Sequence, residues 1–436
     1  MVRLFVAGTG YVGLTAGACL AHLGHEVVCY DVDRPRIDRL RAGDVPLHEP
    51  QLGDLLSRVS PARVEFTADL PDGLLQTDAV LICVGTPARA DGSAELTALH
   101  LLTAELARHV VPGQLVITKS TVPPGTNRWM AAQFHRAGVP ARLVANPEFL
   151  REGSAVADFL APDRIVYGAA SAEDAQAAER VFAGVPGARV VTTWESAELI
   201  KYAANAFLAV KVSFMNELAR VCTGYGADVT EVAYGAGLDR RIGTGHFAAG
   251  LGYGGSCLPK DVAALQHAAR AVGRELAIVG AAAQVNEEQV GHVAGLLDTA
   301  LGGLAGRRVA VLGLAFKGGS DDLRDSPALR LTDRLLAAGV QIRAHDPLAL
   351  QAADRVYRDA GRRPEFYADP MVAAEGVSAV VVATDCPEYR DLDVGRLRSR
   401  MEGRVLLDAR NILSPDAVSR AGLVYIGVGR GPQPPR

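Results

Sequence analysis

The chain has 436 residues, more than a single hydrophobic core accommodates. With 49% hydrophobic and 22% charged residues, it has the composition of an ordinary folded protein, not of a disordered or fibrous one. A formal net charge of −4 gives no electrostatic case for nucleic acid or an anionic membrane, and no uninterrupted apolar run is long enough to span a bilayer.

The strand-like run Val2–Ala7 leads straight into a glycine-rich turn, so no cleavable leader is expected. Gly8, Gly10 and Gly13 spell G-x-G-x-x-G between that strand and a helical run. This spacing permits a tight turn, close approach to a pyrophosphate and close helix–strand packing. The start of the helix also offers N–H groups to phosphate. Asp31 ends the second strand, EVVCYD, 23 positions after Gly8. A carboxylate there accepts from ribose hydroxyls and repels a 2′-phosphate, which predicts NAD over NADP.

The runs AVLICVG and QLVITKS continue an alternation of short β-rich segments with helical stretches rich in alanine and leucine. That alternation predicts a parallel sheet with helices on both faces. Thr121, in KSTVPPG, directly follows a predicted strand, where ligand-facing loops lie. Glu148 and Glu152, in NPEFLREG, stand four apart just after Pro147.

From Trp194 to Cys222 runs a long helical stretch without Gly or Pro, and in it Lys201 and Asn205 share one face. A helix of this length between two α/β regions suits a spine that packs against its partner in a dimer. Taken singly, Lys201, Asn205, Glu148, Glu152 and Thr121 each read as a solvated or capping residue, the commoner fate of a lone Lys, Glu or Thr, and their meaning comes from occurring together.

Helix-rich sequence continues to Leu301, interrupted by GLGYGGSCLPKD. Cys257 follows the glycines, with Lys260 and Asp261 three and four residues later and Pro259 in the first turn of a predicted helix. A thiol near a helix start and a lysine favours its thiolate, which suits a nucleophile. A buried thiol in a glycine-rich loop is the other reading of the same residues.

At Arg307 the α/β alternation resumes with RRVAVLGLAF, VQIRAHDP, AVVVAT and VLLDAR. Here Gly313 lacks the following G-x-x-G, while Lys317 and Arg324 supply a basic loop suited to a phosphorylated ligand. The expected fold is α/β: two Rossmann-like, doubly wound domains joined by a helical middle with a long central helix. The boundaries expected are 1–193, 194–302 and 303–436, and the tail GRGPQPPR is expected to be disordered. The six cysteines, at 19, 29, 83, 222, 257 and 386, show neither metal-ligand spacing nor disulfide density. Free thiols in a reducing cytoplasm are expected, with Cys19, Cys29 and Cys83 in the core.

Taken together, GTGYVGL, HEPQLGDLL, VGTPARADGSAEL, KSTVPPG, NPEFLREGSAVADFLAPDRIVYG, KYAANAFLAVKVSFMNE, GLDRRIG, GYGGSCLPKD and FKGGSDDLRDSPA resemble the UDP-glucose/GDP-mannose dehydrogenase family, in order along nearly the whole chain. The resemblance implies NAD-dependent oxidation of a sugar 6-hydroxyl to a carboxylate, with UDP-glucose as substrate. It makes Cys257 the nucleophile of a thiohemiacetal and then a thioester, and Lys201 the stabiliser of oxyanions. Asn205 would orient the reacting oxygen, Asp261 and Thr121 would hold or activate water, and Glu148 would be the acid/base.

On the cofactor side the resemblance implies Gly8, Gly10, Tyr11, Val12, Gly13, Asp31, Arg36, Gly85, Thr86, Pro87, Thr121, Glu152 and Arg324. For the sugar nucleotide it implies the stretch from Glu148 through Phe149, Leu150 and Arg151 to Glu152. Lys201, Asn205, Tyr253, Gly254, Phe316, Lys317 and Arg410 would complete that set. Arg241 would reach the neighbouring subunit of a homodimer. No metal is implied. Ser320 and Asp325 depart conservatively from the usual Thr and Glu, and Cys386 replaces a residue that is often aromatic. The same chemistry on dTDP-glucose, a UDP-N-acetylhexosamine or GDP-mannose is the nearest alternative. A single-step two-electron dehydrogenase and a non-catalytic nucleotide-sugar sensor are more distant ones.

Overall fold

The computed structural model describes residues 1–59, 62–70, 74, 77–358 and 360–433. They form two compact units, Met1–Ala204 with Ala263–Arg274, and Asn205–Val262 with Glu275–Arg436. The helices Trp194–Tyr225 and Leu258–Ala271 each begin in one unit and end in the other.

The first unit is built on β1 (Arg3–Ala7), β2 (Glu26–Tyr30), β3 (Val64–Thr67), β4 (Ala79–Ile82), β5 (Leu115–Thr118), β6 (Arg142–Ala145), β7 (Arg164–Ala169) and β8 (Ala188–Thr192). Their order is β3-β2-β1-β4-β5-β6-β7-β8. Alternation along β1 sends Leu4 and Val6 to one face, against Leu14 and Leu20 of the first helix. Phe5 and Ala7 go to the other face, with Leu99, Met130 and Phe134.

All neighbouring strands of this sheet are parallel except β6 and β7. That pair is the one antiparallel exception in the parallel sheet expected from the sequence. The connection between β6 and β7 begins with an irregular segment and leaves only a six-residue helix, Ala155–Leu160. That helix is about 9 Å long, so the chain re-enters the sheet from the same end and runs antiparallel.

The second unit carries β9 (Arg308–Leu312), β10 (Gln341–His345), β11 (Glu365–Phe366), β12 (Ala379–Val382), β13 (Val405–Asp408), β14 (Val424–Gly427) and β15 (Gly431–Gln433), in the order β11-β10-β9-β12-β13-β14-β15. One face of this sheet packs on Met215, Ala219 and Cys222 of the long helix and on Val290, Val293 and Leu297 of the helix Ala277–Leu301. Within the tail expected to be disordered, β15 pairs antiparallel with β14, because Tyr425–Gly427 offers a sheet edge that the segment 431–433 satisfies. Residues 434–436 lie outside the described residues. No helix among the described residues is long and apolar enough to cross a membrane.

The two sheets start alike. The Gly8 amide donates to Tyr30 O at 2.8 Å, and the Gly313 amide donates to His345 O at 2.7 Å. An aspartate follows the second strand in each unit, Asp31 in one and Asp346 in the other. The Asp346 carboxylate is buried and accepts from four backbone amides: Leu314 at 2.7 Å, Ala315 at 3.0 Å, Leu348 at 2.9 Å and Ala349 at 2.7 Å. Asp346→Ala strands all four donors and is expected to lower stability by roughly 3 kcal/mol or more. Urea unfolding followed by circular dichroism checks this, and a loss under about 1 kcal/mol contradicts it.

Candidate active site

In open α/β sheets, ligands lie at the carboxyl ends of strands where the strand order reverses. In the first unit that point is between β1 and β4. The glycine-rich turn follows β1 and the Gly85–Thr86–Pro87 loop follows β4. A Cβ at Gly13 would stand 1.8 Å from Gly8 O, so only glycine lets the first helix approach the turn. Gly10 faces open space. The helix that starts at Tyr11 and Val12 has no side-chain cap and no acidic residue in its first turn. An uncapped helix start behind an open turn fits a pyrophosphate.

Asp31 Oδ2 accepts from Thr9 N at 2.7 Å and Thr9 Oγ1 at 2.8 Å, while Oδ1 accepts from Asp33 N at 3.1 Å. Arg36 leans over the same turn, with Nη1 3.2 Å from Thr9 O and Nε 3.5 Å from Asp33. The Thr86 hydroxyl donates to Thr121 O at 2.7 Å, tying the loops after β4 and β5 together.

Beyond β6, Glu148 meets Lys201. Both side chains are buried, with Nζ 2.8 Å from Oε1. Glu148 Oε2 accepts from Leu150 N at 2.5 Å. Burial pushes the Glu148 carboxyl up, but Lys201, the Leu150 amide and Lys119 together hold it below the usual carboxylate range. The Phe149 ring carries Arg164 at 3.8 Å and Lys201 at 5.4 Å. Residues 146–152 are not helical. The four-residue spacing of Glu148 and Glu152 therefore carries no shared helix face. Arg151 is engaged by both oxygens of Asp158.

Three residues of this unit escaped the sequence reading. Lys119 is buried, 2.9 Å from Asn146 Oδ1 and over the rings of Phe182 and Phe159 at 5.1 and 5.5 Å. Burial pushes its ammonium down. Glu198, one helical turn before Lys201, accepts from Gly125 N at 2.6 Å and from Asn127 N and Nδ2 at 2.7 Å each. Glu49 holds Gly153 and Ala155. The one available signal was for Glu198, whose three-residue spacing from Lys201 places both on one side of the helix.

In the second unit, all six cysteines of the chain being free, Cys257 is the one that is not buried. Its carbonyl accepts from Asp261 N at 2.9 Å, opening the helix that begins at Leu258, and Ser256 Oγ lies 3.6 Å from its sulfur. The Asp261 carboxylate is buried between Asn205 Nδ2 at 2.6 Å and Lys260 Nζ at 2.5 Å. The glycine loop before Cys257 rests on the loop after β9. A Cβ at Gly254 would stand 2.2 Å from Asp325 O, and Gly255 N donates to Arg324 O at 3.1 Å. Tyr253 is buried, and burial pushes its hydroxyl up to about 12.

Arg410 is partly buried and donates to three carbonyls: Ala383 at 2.8 Å, Gly252 at 3.1 Å and Phe316 at 3.2 Å. Burial pushes its guanidinium down. It thus joins the glycine loop to the loop of Phe316 and Lys317, whose ammonium stands 5.6 Å from the Phe316 ring centre. The structure holds Arg324 and Arg241 against local carboxylates, Asp322 and Asp239, each at 2.6 Å, and the Arg241 side chain is 89% exposed.

Three family models match the chain in succession. They are the NAD binding domain of the UDP-glucose/GDP-mannose dehydrogenase family over residues 2–185, its central domain over 195–288 and its UDP binding domain over 310–415. A UDP-glucose 6-dehydrogenase of Pseudomonas aeruginosa is 41% identical over 449 aligned positions, covering 98% of each chain. The solved UDP-glucose dehydrogenase of Pyrobaculum islandicum superposes with a TM-score of 0.92 at 40% identity, covering 98% of each chain. The UDP-D-ManNAc dehydrogenase of Pyrococcus horikoshii superposes at 0.87 with 29% identity, covering 98% of this chain and 99% of the other.

Lys201→Met leaves the Glu148 carboxylate buried without its counter-ion. The expected destabilisation is about 3–5 kcal/mol at pH 8. It shrinks toward pH 5, because protonating Glu148 removes the stranded charge. In the unsubstituted protein the sign is opposite. The depressed Glu148 carboxyl adds stability that is complete above the unfolded carboxylate range and is lost as pH falls through the folded value. Urea midpoints for both proteins at pH 8 and 5 test the pair, and a penalty that does not change with pH contradicts it.

Proposed function

We propose, from the premise that the chain belongs to the UDP-glucose/GDP-mannose dehydrogenase family and is therefore an NAD-dependent nucleotide-sugar dehydrogenase, that it oxidises the 6-hydroxyl of UDP-glucose to the carboxylate through a covalent intermediate on Cys257. UDP-glucose is favoured because relatives near 40% identity are named for it, whereas the ManNAc enzyme stands at 29%. The same chemistry on dTDP-glucose, a UDP-N-acetylhexosamine or GDP-mannose is the alternative.

The observation that carries the covalent route is the partly buried Cys257 at a helix start, four residues before a buried Asp261 held by Asn205 and Lys260. A helix start favours the thiolate, and a one-step dehydrogenase or a sensor has no use for a nucleophile. When bound in the turn of Gly8–Gly13, with Asp31 at its ribose, NAD supplies a hydride acceptor for each of two oxidations. The first oxidation leaves an aldehyde at C6. The Cys257 thiolate adds to that carbon and gives a thiohemiacetal. Loss of a hydride from this adduct leaves a thioester, and water cleaves the C–S bond, releasing the carboxylate and the thiol.

Lys201 steadies the charge that develops on oxygen in these steps. Glu148, held ionised beside it, fits the base half of an acid/base role. Asp261 and Thr121 hold the hydrolytic water, and Asn205 orients the reacting oxygen. Lys317, Arg410 and the 148–152 loop take the sugar nucleotide. Residues 1–193 serve the cofactor, 194–302 the chemistry, and 303–436 the nucleotide-sugar. Free thiols suit a reducing cytoplasm.

A homodimer is the assembly we propose. Phe207, Phe214 and Val221 stand seven residues apart on the long helix and are 64%, 52% and 50% exposed. Seven-residue spacing makes them one apolar stripe, the kind a second copy covers. Arg241 then completes the neighbouring active site.

From limiting UDP-glucose, two NADH per sugar are expected, and Cys257→Ala is expected to stall. One NADH per sugar refutes the covalent route. No turnover on UDP-glucose alongside turnover on another nucleotide-sugar refutes the substrate. Mixing inactive Cys257→Ala with inactive Arg241→Ala is expected to restore activity through mixed dimers. Mixtures that stay inactive rule out a shared site.

A further inference from the structure

Glu49 is a buried carboxylate that the reaction does not use. It lies in the HEPQL stretch between β2 and β3. Oε1 accepts from Ala155 N at 2.8 Å, and Oε2 accepts from Gly153 N at 2.6 Å. Oε2 also takes a short hydrogen bond from the Tyr11 hydroxyl. Gly153 N donates in addition to that hydroxyl at 3.0 Å.

The donors come from two places. Tyr11 is the first residue of the helix behind the glycine-rich turn. Gly153 and Ala155 directly follow the loop that bears Glu148 and Glu152. One carboxylate is therefore bonded to both the cofactor turn and the reacting loop. An apolar side chain would fill the same space without the desolvation that a buried carboxylate costs. What an apolar residue lacks is a directed link between the two segments. Ser154 makes no side-chain cap for the helix Ala155–Leu160, so Glu49 meets its amides from outside. Arg151 is tied to Asp158 from the other side through its amide at 2.9 Å and its guanidinium at 3.0 and 2.6 Å. The loop is thus pinned at Asp158, and Glu49 decides where the glycine-rich turn stands relative to it.

We propose that Glu49 is a positioning residue for NAD: through the Tyr11 hydroxyl it fixes the glycine-rich turn in register with the Glu148–Glu152 loop, and sets NAD affinity without touching the cofactor. This rests on the reading of that turn as the NAD site. Burial and Glu49 push the Tyr11 hydroxyl far above its ordinary range, so it stays a donor at every working pH.

The test titrates full-length protein with NADH by fluorescence, for the unsubstituted chain, Glu49→Gln, Tyr11→Phe and the double variant. Thermal midpoints without cofactor and the KM for NAD are measured alongside. Each single variant is expected to bind NADH roughly tenfold more weakly, the scale of one lost bond to a charged group. The double variant is expected to be no weaker than the weaker single, because both break one link. KM for NAD rises more than kcat falls.

Variants that lose thermal stability while NADH affinity stays within about twofold overturn the proposal, as do losses that multiply in the double variant. If Glu49→Gln does not fold, Tyr11→Phe, which removes one oxygen, decides on the affinity criterion alone. Tight NADH binding without oxidation of any nucleotide-sugar overturns the functional reading and leaves the titration to judge Glu49. An unsubstituted chain that binds no NADH overturns the proposal.

Discussion

An ammonium group buried on a helix must find its negative charge inside the fold, and Lys201 finds it in Glu148 at 2.8 Å. Much of the first unit is arranged around that need. The same helix donates from Trp194 Nε1 to Leu143 O at 2.9 Å, and Glu198 receives the amides of Gly125 and Asn127. Positions 194, 198 and 201 are four and three residues apart, so one side of one helix meets β6, the loop after β5 and the loop after β6. The loops that carry Thr121 and Glu148 are therefore both tied to a single helix.

A second device recurs in both units: a carboxylate gathers backbone amides from a loop remote in sequence. Asp31 takes Thr9, and Asp346 takes Leu314 and Ala315. Loops at strand ends expose amides with no partner of their own, and an ionised acceptor satisfies several at once. The difference between the units lies in what remains open. In the first, Gly10 and Gly85 face free space. In the second, the Thr384 hydroxyl donates to Ala315 O at 2.7 Å and Gly318 N donates to Asp385 at 2.9 Å, so the protein bridges its own crevice. An open glycine-rich turn is present in one half and replaced by internal bonds in the other.

The sequence made the repeating architecture legible because its signals were local. The glycine fingerprint, Asp31 and the apolar runs of β1, β2, β4 and β5 depend on neighbours a few residues away, and so does the gap-free helix after Trp194. The β6–β7 reversal was hidden because a short helix inside a long connection leaves no mark in periodicity. β15 was hidden because Gly and Pro composition reads as a linker until an edge strand is there to receive it. In the site, Cys257 and Asp261 stood out by sitting together in GGSCLPKD. Glu49, Lys119 and Glu198 did not, since each acquires its meaning only from a partner tens of residues away. The four-residue spacing of Glu148 and Glu152 carries no shared face, because the backbone there is not helical.

The path of the chain between the two compact units has a consequence for its synthesis. The first unit is made of Met1–Ala204 and a later piece, Ala263–Arg274. At the ordinary pace of translation, about 5–20 residues per second, its last piece emerges roughly 4–14 s after Ala204 does. During that interval the ribosome is threading out Asn205–Val262, which belongs to the other unit and cannot settle until β9–β14 are made. The nascent chain therefore carries an unfinished cofactor half and the apolar stripe of Phe207, Phe214 and Val221 together, and this window is where the polypeptide most needs shielding from its neighbours.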